Sequence, residues 1–171
     1  MEDVLVTYAS RYGATAGVAE EIGKTLTGKG FSVSVKPMTQ VESVSGYKLV
    51  IAGSAIQGGS WLPEAISFMD KNKAAFSNTK FATFLVCMTL AMPNGEQYRD
   101  HVRSWLEPIR KYGKPVQEGI FAGGLDTGKI TSISDKMKFK ISVALGVWKE
   151  GDHRDWNRIR TWADTLIPYI D

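Results

Sequence analysis

Six consecutive residues near the start of the chain, Ser10-Arg11-Tyr12-Gly13-Ala14-Thr15, carry the clearest chemistry in the sequence. They supply hydroxyls at Ser10 and Thr15, a cation at Arg11 and one glycine, Gly13, just before a segment with helical spacing. The leading N–H groups of a helix have no partner inside it, and the helix dipole puts positive charge there, so such a turn can surround a phosphate. No acid stands in the turn, the nearest being Glu20 and Glu21, and Arg11 can add a charge-assisted contact. The plain alternative is a capped strand-to-helix turn of the kind every α/β protein uses.

Other candidate chemistry is weaker. A dinucleotide site would show G-x-G-x-x-G in this turn, and only one glycine is present, which argues against NAD. Gly123-Gly124-Leu125-Asp126-Thr127-Gly128-Lys129 matches seven positions of a triphosphate-binding loop, but Ile130 stands where the Mg²⁺-binding Ser or Thr belongs. A phosphoacceptor receiver needs acids at the ends of strands one and three, where Ala9-Ser10 and Gly53-Ser54 stand. The single cysteine, Cys87, reads as a packed core thiol. His101 and His153 have no third ligand in view, so no metal is expected. No side chain stands out as an acid, base or nucleophile, and no catalytic residue is assigned.

The phosphate turn needs a strand before it and a helix after it, and the chain supplies both. Residues 4–9 form a short β-branched run with the pattern of a strand buried on both faces. Residues 15–28 place Val18, Ile22 and Leu26 on one helical stripe. An alternating strand at 31–35, a buried strand at 47–53, a helix opened by Pro63, a strand at 80–87 and a helix over 96–112 interrupted by Pro108 follow. A fifth strand at 117–122 and a last helix from about Asp152 complete the pattern. Alternating strands and helices predict an α/β doubly wound sandwich, a five-stranded parallel sheet in the order 2-1-3-4-5 with helices on both faces. The expected organisation is one domain over 1–171, with a basic insertion at about 125–151.

Tyr8-Ala9-Ser10-Arg11-Tyr12-Gly13-Ala14-Thr15 resembles the FMN phosphate loop of flavodoxins, with Ser10, Gly13 and Thr15 matching its pattern. Tyr12 departs from it, standing where a second Ser or Thr is usual. Arg11 resembles the subgroup that contains the menaquinone-dependent protoporphyrinogen IX dehydrogenase. The resemblance implies a flavodoxin-like fold, non-covalent FMN and electron transfer through it, to a redox partner protein or to a small organic substrate or quinone. It makes the FMN contacts Ser10, Arg11, Tyr12, Gly13, Ala14 and Thr15, with two further loops beside the ring. Those loops contribute Ser54, Ala55, Ile56, Gln57, Gly58, Gly59 and Trp61, and then Thr89, Leu90, Ala91 and Met92. Trp61 can stack on the ring or serve as a core residue at a helix start. The Tyr that the family usually stacks from the second loop is missing, Tyr98 being the nearest.

Neither ring loop contains an acid. Carboxylates around a flavin disfavour its anionic reduced form, so their absence predicts a reduced ring that is easier to reach and exchange with an organic substrate or quinone. Whether the protein is a carrier or an enzyme stays open, and a flavin-free interaction module remains the rival from another class.

The insertion is basic and apolar. The chain carries a net charge of +3, yet from Lys129 to Arg160 eight basic residues stand against four acids. Met137, Ile141, Ala144, Leu145 and Trp148 share a helical face, although alternation from Met137 to Val147 also fits a strand. The helix is preferred because a similar insert follows strand five in the quinone-dependent subgroup. Such an element can lie on an anionic membrane through residues 129–149, or pack as a lid over its own sheet or a partner subunit. No nucleic-acid partner is expected. Asp152-His153-Arg154-Asp155-Trp156 reads as a helix start with Asp152 as N-cap, or else as a site where Arg154 reaches a substrate carboxylate. The N-terminus lacks a basic leader, the lone cysteine excludes an internal disulfide, and no apolar run approaches a membrane span, so a cytoplasmic protein is expected, with peripheral membrane contact open.

Overall fold

The computed structural model describes residues 3–171; Met1 and Glu2 lie outside the described residues. Five parallel strands make the sheet: β1 (Val4–Ala9), β2 (Val33–Pro37), β3 (Leu49–Gln57), β5 (Lys80–Cys87) and β6 (Glu118–Ala122), in the order β2-β1-β3-β5-β6. Taking these five alone, the order is the expected 2-1-3-4-5. A sixth strand, β4 (Ser60–Trp61), pairs antiparallel with the end of β3, so the sheet has one strand more than expected.

The added strand changes the reading of the loop after β3. Gly58 and Gly59 both take positive φ, at 58° and 75°, as a two-residue hairpin turn requires. Ile56 then pairs with Trp61 and Gln57 with Ser60. The stretch from Ser54 to Gln57, expected as loop, is strand: Ser54 pairs with Ala9 and Leu85 and Ala55 with Val86 in the parallel sheet, and the hairpin pairs Ile56 and Gln57.

Alternate residues of each strand enter opposite layers, as the two-residue pleat dictates. On one face Leu5, Val50, Phe81, Leu85 and Ile120 pack beneath α2 (Pro63–Lys71), α3 (Arg99–Ser104) and α4 (Glu107–Arg110). On the other, Val6, Ile51, Phe84 and Phe121 pack beneath α1 (Ala14–Gly28) and α6 (Trp156–Asp164). Burying aliphatic side chains on both sides contributes about 1.5–3 kcal/mol each, which is why these strands read as continuous apolar runs.

Three boundaries differ from expectation. The helix expected over 96–112 is broken into a short 3-10 turn, α3 and α4, with Trp105 and Leu106 between the α-helical pieces. Pro108 has no N–H to donate and its ring crowds the carbonyl four residues back, so the helix restarts with Pro108 in its first turn. The alternating strand begins at Val33 rather than Phe31. The last helix starts at Trp156, with Asp155 rather than Asp152 as its N-cap; the Asp155 carboxylate accepts from Arg158 N–H at 3.0 Å. Asp152 is unavailable because it belongs to a strand, described next.

Between β6 and α6 the chain makes its excursion. Two-residue strands β7 (Gly124–Leu125) and β8 (Gly151–Asp152) pair antiparallel and close its neck. Inside it lies α5 (Ile133–Ala144), a helix as expected, capped by Ser132, whose hydroxyl accepts from Asp135 N–H. Gly146, with φ of 73°, ends it in the left-handed region, and Val147 N–H returns to the Ser142 carbonyl at 2.9 Å. Among the described residues no helix is long and apolar enough to cross a membrane.

Candidate functional site

A cleft of about 600 Å³ opens at the carboxyl end of the sheet. Its walls come from the turn after β1, the β3–β4 hairpin, the segment after β5, the start of the excursion after β6, and the inner face of α5. A crevice outside the strand ends, beside the point where strand order reverses, is where open α/β sheets hold ligands. The volume falls within the range of small-molecule and cofactor sites.

The turn after β1 is built to leave a helix start free. Gly13 occupies the N-cap of α1 with φ of 95°, a left-handed conformation costly for any residue with a Cβ. No side chain caps α1, and its first turn carries no acid. Gly13 N–H donates to Ser10 Oγ at 3.2 Å, which tightens the turn and leaves the Ser10 hydroxyl proton for another acceptor. Thr15 is buried at the cleft, in the first turn.

The two larger side chains of the turn look elsewhere. Arg11 lines the cleft, but its guanidinium forms a two-pronged pair with Glu64 at 2.7 and 3.1 Å. Tyr12 donates from its hydroxyl to Asp135 Oδ2 at 2.7 Å, and its ring meets Phe139 edge-on with centroids 6.4 Å apart. That bond to the carboxylate, with some burial, holds the Tyr12 hydroxyl above the ordinary tyrosine pKa. Phe139 in turn packs on Trp148 at 5.2 Å. The residue that departs from the phosphate-loop pattern is thus the anchor of the excursion.

The remaining expected site residues divide. Ala55, Ile56, Gln57, Gly58, Gly59 and Thr89 line the cleft. Ser54 lies just beneath it, fully buried, donating to the Ala55 carbonyl and accepting from Leu62 N–H. Gly13 borders an adjoining, more polar recess. Trp61, Leu90, Ala91 and Met92 do not line the cleft. Trp61 sits in the core because strand alternation turns Ser60 out and Trp61 in. Leu90 is buried in the same core, in the 3-10 turn Thr89–Ala91.

An aromatic side chain does reach the hairpin, and it is Trp105. A Cβ built on Gly59 would stand 3.3 Å from Trp105 Nε1, so the indole lies against the turn at the cleft wall. Trp105 falls inside the helix expected over 96–112, and the interruption at Pro108 is the signal that its segment need not continue as helix. Phe139 and Trp148 from the insertion are the other aromatic walls.

Two acids border the cleft, and both are engaged. Asp126 accepts from Gly128 N–H at 2.9 Å, and Asp135 from Tyr12. Both come from the excursion, none from the three loops expected around a ring. Cys87 lies on the floor, 4% exposed, and burial pushes its thiol up to about 11, which keeps it protonated and inert. Arg154 is committed to the structure: it pairs with Asp152 at 2.7 Å, donates to the Ala14 carbonyl at 3.1 Å and stacks on Trp156. The Arg154 guanidinium holds the Asp152 carboxyl below its usual pKa. The loop with the triphosphate-site pattern runs into β7 and a 3-10 turn rather than a long helix, so it has no helix start to offer a phosphate. Among the described residues, no three His, Cys, Asp or Glu side chains are grouped to hold a metal.

An open parallel sheet of this order, with a cleft at its switch point and a bare helix start beside it, defines a doubly wound ligand-binding protein. The chain matches the flavodoxin domain family over residues 5–149 and belongs to it. No curated protein matches the sequence. Among solved structures, a short-chain flavodoxin associated with a non-canonical PDU bacterial microcompartment is 15% identical, with full coverage of both chains and a TM-score of 0.62. Flavodoxin 2 from Bacillus cereus is 23% identical over 84% of this chain and 98% of its own, with a TM-score of 0.53. Rubredoxin oxygen:oxidoreductase from Desulfovibrio gigas is 14% identical with a TM-score of 0.52; 98% of this chain matches 36% of that one. The chain thus spans about a third of that protein, and at these identities the likeness is one of fold.

Proposed function

We propose that this protein binds FMN non-covalently in the cleft and passes electrons through it. The carrying observation is the uncapped, acid-free start of α1 beside the Ser10 and Thr15 hydroxyls, opening on a cleft of cofactor size. Family membership supports the same reading. Bound flavin would supply the redox chemistry, and the protein would supply binding, orientation and exclusion of water. The leading N–H groups of α1, with Ser10 and Thr15, would hold the phosphate. The Gly58-Gly59 turn allows close backbone approach to a ring, and Trp105, Phe139 and Trp148 furnish apolar walls.

Turnover of a planar organic substrate or quinone is the second reading. The aromatic lining contributed by the excursion favours it, because an electron carrier needs no such wall. So does the lack of any acid from the three sheet-end loops, which leaves the reduced ring without the repulsion that carboxylates would impose. Assay of the flavin-loaded protein with quinones and porphyrinogens as acceptor and donor separates enzyme from carrier.

Titration of the apoprotein with FMN and with riboflavin tests the main reading. Riboflavin lacks the phosphate, so FMN should bind at least about a hundredfold tighter if the turn makes two or more charge-assisted hydrogen bonds. Equal affinities would remove the phosphate turn from the argument, and no binding of either would refute the proposal.

A further inference from the structure

Helix α5 carries its aliphatic stripe on the wrong side for a lid that merely packs on its own sheet. Ile133, Met137, Ile141 and Leu145 recur every four residues and are 54–81% exposed, and no residue of α5 is buried. With Val147 they make up five of the seven large hydrophobic side chains exposed in the described residues. The opposite face, with Asp135, Phe139 and Ser142, walls the cleft. Apolar exposure so concentrated on one element marks an interaction surface.

The charges around the stripe have one sign. At 100° per residue, Lys136 and Lys140 border it on one flank and Lys138 on the other, while Lys129 and Lys149 stand beyond its ends. The acids nearby are engaged: Asp135 faces inward on Tyr12, Glu150 accepts from Thr127, and Asp152 is paired with Arg154.

We infer that α5 is a docking element that lays its outer face into the headgroup region of an anionic lipid bilayer. A row of aliphatic side chains between flanking lysines is what an interfacial helix presents: the hydrocarbon enters the acyl boundary and the ammonium groups reach up to the phosphates. A protein partner fits less well, since protein interfaces are depleted in lysine and enriched in Tyr, Trp, Phe, Met and Arg, and of these the face holds Met137 alone. A second copy would oppose lysine to lysine across a small contact. Because the inner face of α5 is a wall of the cleft, a seated helix would bring the cleft beside the lipid surface. The inference rests on α5 alone and holds whether or not the cleft takes a flavin.

The test is co-sedimentation of the full chain with phosphatidylcholine vesicles, with and without phosphatidylglycerol, at low and high salt. Binding should need the anionic lipid and weaken as salt rises. Replacing Lys138 or Lys140 by Gln should cost about fivefold each in partitioning. Met137→Ser or Ile141→Ser should cost about tenfold or more each. These side chains are exposed, so circular dichroism and the melting temperature should not move. The inference is overturned if the protein ignores anionic vesicles, if it binds both lipids alike without salt dependence, or if the four substitutions leave binding unchanged. It is equally overturned if Ile141→Ser disperses a concentration-dependent dimer in a protein that does not touch vesicles.

Discussion

Replacing Tyr12 by Phe should loosen the excursion without disturbing the sheet. The change removes one hydroxyl, and with it the 2.7 Å bond to Asp135, while keeping the ring against Phe139. A hydrogen bond to a charged acceptor contributes about 1.5–3 kcal/mol in a buried setting. Both partners here are only half-buried, so solvent screening brings the figure to about 1 kcal/mol. No residue of α5 is buried, and this bond and the contact of Phe139 with the Tyr12 ring tie it to the body, so it should open locally rather than with the whole molecule. A loss of about 1 kcal/mol raises the open population about fivefold. Amide hydrogen exchange read peptide by peptide measures this directly: α5 should exchange about fivefold faster in Tyr12→Phe, with β3 and β5 unchanged. In a protein already carrying Asp135→Ala, the tyrosine substitution should add almost nothing. Unchanged exchange in α5, or an equal acceleration in the central strands, would refute the assignment of this bond as the anchor.

Other outcomes follow from the same geometry. Gly53→Ala drives a Cβ into the Phe84 ring, which is fully buried and has nowhere to go, so urea denaturation should show a loss of about 3 kcal/mol. The Cys87 thiol is held up to about 11, so its contribution to stability is intact below the ordinary thiol pKa and lost as pH rises through that raised value. Alkylation of the native protein, followed by mass spectrometry, should therefore be negligible at neutral pH and appear only as the solution becomes strongly basic or the chain unfolds. Trp105→Ala should weaken FMN binding about tenfold in a fluorescence titration while shifting the melting temperature little, because the indole is only partly buried at the cleft wall.

The central strands were legible because burial on both faces leaves an unbroken apolar run, and β1, β5 and β6 fall within a residue of their expected bounds. The turn into α1 was legible because Ser10, Gly13 and Thr15 bracket a helix start, with Gly13 at its N-cap. The β3–β4 hairpin was not, since two glycines in sequence read equally as turn or open loop, and only the pairing of Ile56 with Trp61 decides. That pairing also fixes which way Trp61 points, and so sends it to the core while Trp105 takes the cleft wall. In α5, periodicity gave Met137, Ile141 and Leu145 on one stripe but wrongly added Trp148, which lies past the helix end at Ala144 and lines the cleft; nor did it give the stripe's direction, which Tyr12, far away in sequence, decides by binding Asp135. Asp152 reads as the cap in the sequence, but β8 claims it and the cap falls to Asp155.

The two-residue pairing of β7 with β8 makes the excursion a detachable module. Gly124 lies opposite Asp152 and Leu125 opposite Gly151, so the chain leaves and re-enters the body at nearly one point. Residues 126–150 could then be excised and the stubs joined by a tight Asn-Gly turn, since a hairpin of this kind needs only two linking residues. The shortened chain would keep its five parallel strands and its bare helix start. It would give up the aromatic wall and the lysine-bordered face together, turning a chain with a hood into a plain open-clefted one.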